Sequence, residues 1–281
     1  MAADPRQHPT GSPLTEGRAP PPVFHALGFD PPHTEHARSM SAVRHEHYGH
    51  YSPEMENRLN GFYGTIDSFL NQRIENFVKG RRVLDVGCGF GSLVEQLRLA
   101  NFEAVGIDLL PEFVEAGRVR YPDADLRCVE PGRLPFANQS FDTLVMKDTI
   151  HHIVAEGNID QFLAEVRRVC ADRVVVMDPN PTIILLSARR LIRHVDPVCP
   201  PDQCAQKLEA AGFTVIHREF HELIGFPASG GFVGREFVKS ARVGDVVLAL
   251  DRIGQRLLDW TRLSSFFCWR YTIVADKGAL R

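Results

Sequence analysis

Three glycines at alternate positions, Gly87, Gly89 and Gly91, follow directly on the short apolar run Arg82-Val83-Leu84-Asp85-Val86. Such a bend lets backbone approach a bound ligand closely, because glycine has no Cβ and accepts positive φ. The helix expected from Ser92 to Leu99 carries Leu93, Val94 and Leu97, which makes Ser92 its expected N-cap. A second apolar run, Ala104 to Ile107, ends in Asp108. That acid stands about 20 residues past the first glycine, where nucleotide-binding α/β folds place a ribose-binding carboxylate.

A glycine bend also serves dinucleotide enzymes, but two details argue against an NAD-linked oxidoreductase. Dinucleotide folds keep a third glycine three residues after the second, whereas here the spacing is Gly87-x-Gly89-x-Gly91. Asp85, two residues before the first glycine, puts negative charge where a diphosphate would lie. Charge of that sign disfavours phosphate and suits a cation. A ribose to grip and a positive charge to neutralise together describe S-adenosylmethionine.

The motifs then extend in order. Val105-Gly106-Ile107-Asp108 follows the glycine bend; Leu134-Pro135-Phe136 with Ser140-Phe141-Asp142 leads into a fourth strand, and Ile150-His151-His152-Ile153 leaves it. On these four motifs, over roughly residues 83–220, the chain resembles class I S-adenosylmethionine-dependent methyltransferases. The likeness is to the small-molecule group that includes the ubiquinone and menaquinone biosynthesis enzymes. The resemblance implies a doubly wound, seven-stranded, mostly parallel α/β sheet of Rossmann-like type, with strand seven antiparallel between five and six. It further implies a cofactor site made of Asp85, Gly87, Gly89, Gly91, Asp108, Leu109, Glu130, Met146 and Tyr51. Asp108 would hold both ribose hydroxyls and Leu109 would supply an apolar surface for the adenine. Glu130 is a departure, since the group more often has aspartate facing the adenine amino group; a longer carboxylate accepts the same hydrogen bond. Tyr48 and Tyr51 are expected as lid residues.

Methyl transfer from a sulfonium is an in-line displacement in which positioning and exclusion of water carry most of the acceleration. What it sometimes needs is a base for a hydroxyl, amine or activated carbon acceptor. His151 and His152 follow strand four at the crevice edge and are the candidate bases. The competing role for His152 is capping or packing at the start of the next helix. His45-x-His47-Tyr48-x-His50 invites a metal, but no Cys or His pair elsewhere has a structural zinc spacing, so no metal is expected. Cys199 and Cys204 are expected to pack rather than react. Asp178-Pro179-Asn180-Pro181 resembles a motif of nucleic-acid amino methyltransferases, yet it follows strand five rather than strand four.

The elements that must hold these residues alternate. Strands are expected at Arg82–Val86, Ala104–Ile107, Leu126–Val129, Thr143–Met146, Val174–Met177, Thr214–Phe220 and Phe267–Ala275. A helix over Asn57–Val78 precedes the first, and Ile159, Phe162, Leu163 and Val166 mark another between strands four and five. The division expected is a Pro/Gly-rich tail at 1–34, a helical cap at 35–80 and a methyltransferase domain at 81–281. Between strands six and seven an insertion, 224–265, carries an amphipathic helix with Val243, Val246, Val247, Leu250, Ile253, Leu257 and Trp260. Its stripe is expected to pack on the sheet, the commoner fate, or else to line a greasy pocket. The interleaved apolar and arginine residues of Ile183 to Arg193 allow at most a peripheral membrane contact.

Composition agrees with a globular chain. Of 281 residues, 44% are hydrophobic and the net charge is −3, which excludes the basic face a nucleic acid would require. Six scattered cysteines and no signal-like or membrane-spanning run point to a reducing, cytoplasmic setting. The expected partner is a small, fairly hydrophobic organic acceptor, methylated on oxygen or carbon. A non-catalytic module that keeps the cofactor site is the alternative.

Overall fold

Apolar side chains alternate along the central strands and face two separate helical layers. In the computed structural model, which describes residues 57, 59–191, 197–230 and 237–278, β1 (Arg82–Val86) and β4 (Phe141–Lys147) show the pattern clearly. Val83 and Val145 point to one layer, with Ile66 and Leu70 of α1 (Phe62–Glu75) and Leu93 and Leu97 of α2 (Ser92–Leu99). Leu84, Leu144 and Met146 point to the other layer. There they meet α4 (Ile150–Ala155), α5 (Ile159–Val169) and α7 (Pro201–Ala210). A period of two on each strand thus builds both cores at once.

The remaining strands are β2 (Glu103–Asp108), β3 (Asp125–Cys128), β5 (Cys170–Pro179), β6 (Phe213–His221) and β7 (Arg270–Lys277). Their order is β3-β2-β1-β4-β5-β7-β6, with β7 antiparallel to both neighbours and the other adjacent pairs parallel. α3 (Pro111–Arg120) connects β2 to β3, and α6 (Ile183–Leu191) follows β5. The insertion after β6 folds as α8 (Gly225–Ser229), α9 (Ala241–Thr261) and α10 (Ser264–Phe267). These residues belong to one of two units of the chain, His45–Arg281. Among them no helix is long and apolar enough to cross a membrane. Cys170, Cys199, Cys204 and Cys268 are buried and all six cysteines are free.

Three expectations are corrected. The helix ahead of β1 is shorter than Asn57–Val78, because Asn76 closes it as C-cap and its amide turns back to Gln72 and Ile74. Ser92 does not cap α2: Gly91 does, in the left-handed region at φ 79°, while the Ser92 hydroxyl donates to Asp67 at 2.6 Å. Most of the α9 stripe does not pack on the sheet. Only Val247 of that set reaches the core; Val243, Val246, Leu250, Ile253, Leu257 and Trp260 are exposed. The reason lies on the opposite side of the helix, where Gly244 sits against Phe62 and Asp251 accepts the amides of Leu223, Ile224 and Gly225. The expected tail, much of the cap, the His45 cluster, Tyr48 and Tyr51 lie outside the described residues.

Candidate functional site

The carboxyl ends of β1, β2 and β4 meet at the glycine bend. The Gly89 amide donates to Asp108 Oδ2 at 2.8 Å, and the Leu110 amide donates to Asp108 Oδ1 at 2.9 Å. One carboxylate therefore holds both the bend and the start of α3. Each oxygen keeps a further lone pair, since a carboxylate accepts about four hydrogen bonds in all. Burial raises the Asp108 pKa above its ordinary value, against the pull of its backbone donors.

The three glycines differ in what they require. Gly87 has φ 77° and faces the Thr149 side chain, whose hydroxyl bonds the carbonyls of Val86 and Lys147 at 3.0 Å each. Gly91 lies against Leu126, 2.6 Å from where its Cβ would stand. Gly89, at φ 52°, has nothing within 4 Å of that position. Two of the glycines are needed for packing; the third opens onto the space in front of the bend.

Asp85 ends the strand behind this opening and is 2% exposed. Its Oδ1 has no hydrogen-bond partner, and burial pushes its carboxyl up to about 7. Lys147, two positions past the β4 residue paired with Asp85, lies across from α1. Its ammonium donates to Asp67 at 2.7 Å and to Asn71 at 2.6 Å. Burial alone would lower the Lys147 pKa, but Asp67, Tyr63 and Asp148 together hold it above the ordinary lysine value. Beyond β4, Asp148 pairs with Arg270 of β7, which also holds Glu222 at 2.8 Å and lies 4.9 Å over the Phe226 ring. Burial raises the Glu222 carboxyl to about 7 despite Arg270.

On α4, His151 Nδ1 is 2.8 Å from Asp178 Oδ1, and both side chains are buried. Burial pushes Asp178 up to about 6, opposed by His151. The half-buried His152 ring stacks on His151 at a centroid distance of 4.1 Å. Thr149 is the N-cap of the helix, so His152 is its third residue, within the first turn, and is not its cap.

The sequence-predicted residues thus fall into three groups. Asp85, Gly87, Gly89, Gly91, Asp108 and Leu109 gather at the bend, with His151 and His152 at the exit of the neighbouring strand. Glu130 stands exposed in the turn after β3, and Met146 is wholly buried in the core. Tyr51 is outside the described residues. Sequence reasoning missed Asp67, Asn71, Lys147, Asp148, Asp178, Glu222 and Arg270. A signal existed for the first two, because Asp67 and Asn71 stand four apart beside the apolar stripe of α1, where a solvated residue is out of place.

A buried carboxylate oxygen awaiting a donor, an open position at Gly89 and spare acceptor capacity on Asp108 all fit the amino, sulfonium and ribose groups of S-adenosylmethionine. The sheet order, with β7 antiparallel between β5 and β6, is that of the Rossmann-like methyltransferase fold. Residues 84–178 match the methyltransferase domain family. It is 29% identical over 214 residues to a ubiquinone biosynthesis O-methyltransferase of Mesorhizobium japonicum, covering 72% of this chain and 75% of that protein. It is 33% identical over 92 residues to a demethylmenaquinone methyltransferase of Renibacterium salmoninarum, covering 33% of this chain and only 38% of that protein. Less than half the length of several such relatives is matched. A methyltransferase structure from Archaeoglobus fulgidus shares the fold with a TM-score of 0.54 and 17% identity, covering 85% of this chain and 99% of that one.

Proposed function

We propose that the protein transfers a methyl group from S-adenosylmethionine to a small, hydrophobic organic acceptor, on oxygen or carbon. The observation that carries this is the Gly89–Asp108 hydrogen bond, which joins the opening in the bend to the ribose-binding acid, with Asp85 unsatisfied beside it. When bound, the cofactor supplies a methyl on a cationic sulfur whose charge disappears as the methyl leaves.

The chain's own groups would position that sulfur and keep water out. Asp108 grips the sugar, the Gly87–Gly91 backbone borders the methionine part, and ionised Asp85 balances its positive charge. Leu109, next to Asp108, would give the adenine an apolar surface, and Glu130, exposed after β3, would accept from its amino group. His152, partly exposed, accepts the acceptor's proton, and the buried His151–Asp178 pair beneath it fixes its ring through stacking. Phe226, half-buried and backed by the buried Trp269 ring 6.1 Å away, offers apolar surface near Arg270. The quinone-pathway names of the relatives support a greasy, ring-bearing acceptor.

The test is mass-spectrometric detection of S-adenosylhomocysteine and methylated product with polar and with prenylated or polyketide-like phenols. Turnover with the lipophilic phenols is expected. Turnover confined to polar metabolites rejects the acceptor class. Cofactor binding without product from any of them rejects catalysis in favour of a binding module.

A further inference from the structure

Helix α9 leaves a narrow apolar seam uncovered. Val243, Val246, Leu250, Ile253, Leu257 and Trp260 recur at intervals of three, four, three, four and three residues. This is the a/d repeat of a helix that pairs with another helix, narrower than the stripe of a helix laid on a core. All six are between 51% and 84% exposed.

The helix cannot roll to hide them. Asp251 accepts three backbone amides, from Leu223 at 2.9 Å, Ile224 at 2.6 Å and Gly225 at 2.9 Å. Gln255 donates to the Phe220 carbonyl at 2.7 Å, and Gly244 packs against Phe62. These contacts pin the opposite face, so the seam points away from the protein along 21 residues, about 31 Å.

We propose that this seam is the interface of a homodimer, in which α9 of two copies pair antiparallel about a two-fold axis. The sequence is self-complementary in that arrangement. Reversal about the midpoint between Leu250 and Ile253 sets Val243 against the partner's Trp260, Val246 against the partner's Leu257, and Leu250 against the partner's Ile253. Small side chains thereby meet large ones. A parallel pair would instead place Trp260 on the partner's Trp260. Each contact occurs twice, as an isologous interface requires. Trp260 contributes on the order of 150–200 Å². Six such side chains approach the scale of the roughly 800 Å² a side that stable interfaces bury. A membrane surface fits less well, because the apolar seam is narrower than the face such a helix lays on lipid.

Sedimentation velocity of the full chain across micromolar concentrations tests this, with Leu250→Glu and Ile253→Glu as variants. Both positions are exposed, so the variants should keep the wild-type melting temperature. The expected result is a wild-type dimer and, for each variant, a dissociation constant at least tenfold weaker. Monomer at every concentration, or a dimer indifferent to both substitutions, overturns the proposal. So does a monomer that floats with phosphatidylserine-containing vesicles and loses them on Leu250→Glu, which would assign the seam to lipid.

Discussion

The Gly89 amide and the Asp108 carboxylate stand 2.8 Å apart, so the bend after β1 and the acid after β2 form one unit before any ligand arrives. Asp108→Ala should weaken S-adenosylmethionine binding by about 1.5–3 kcal/mol, the worth of a hydrogen bond to a charged group. Isothermal titration measures it, and unchanged affinity would refute the ribose role.

Gly89 and Gly91 should fail in different ways. Gly91→Ala drives a methyl into Leu126 and should cost roughly 1–3 kcal/mol of fold stability. Gly89→Ala meets no atom of the chain and bears only the left-handed backbone penalty, roughly 1 kcal/mol. Melting should therefore fall less than for Gly91→Ala, which adds the clash, while cofactor affinity falls. Equal melting shifts for the two variants would contradict this division.

Buried carboxyls set the pH response. Asp85 and Glu222 are raised to about 7 and Asp178 to about 6, each chiefly by burial. A raised acid stabilises the fold below its unfolded pKa and loses that contribution as pH climbs through the folded value. Stability in urea should therefore decline between about pH 4 and pH 7, and Asp85→Asn should flatten part of that slope. Since a cationic ligand prefers ionised Asp85, wild-type cofactor affinity should rise through pH 7 and that of Asp85→Asn should not. Titrations at pH 6 and pH 8 decide it.

Arg270 holds two acids from separate segments, Asp148 and Glu222. Arg270→Met strands them, and breaking a buried ion pair on one side typically costs about 3–5 kcal/mol. Adding Glu222→Gln should recover part of the loss. Urea melts of both variants provide the check.

The histidines separate base from support. His152→Ala should lower turnover at unchanged cofactor affinity, whereas Asp178→Asn should shift the pH profile of turnover and leave a residual rate. A melting loss for His152→Ala with normal turnover would return that residue to packing.

Much of this was legible from residue order alone. Short apolar runs alternating with helical patterns marked all seven strands, though β5 and β7 were extended or displaced by pairing with each other, which local pattern does not report. The glycine spacing and two acids marked the cofactor side because those signals lie within a few dozen residues. Lys147 with Asp67, and Arg270 with Asp148, are separated by 80 and 122 positions, and only sheet order brings them together. Helix α9 shows the same limit differently: its periodicity revealed an apolar face, but Gly244 and Asp251 anchored the other one.

Local chemistry therefore determined the strands, the bend and the class of ligand, because backbone freedom at glycine and charge beside it act over short range. Tertiary structure alone decided which buried charges neutralise one another and which way the α9 seam faces. Those outcomes depend on packing and desolvation between segments distant in sequence, and no single segment encodes them.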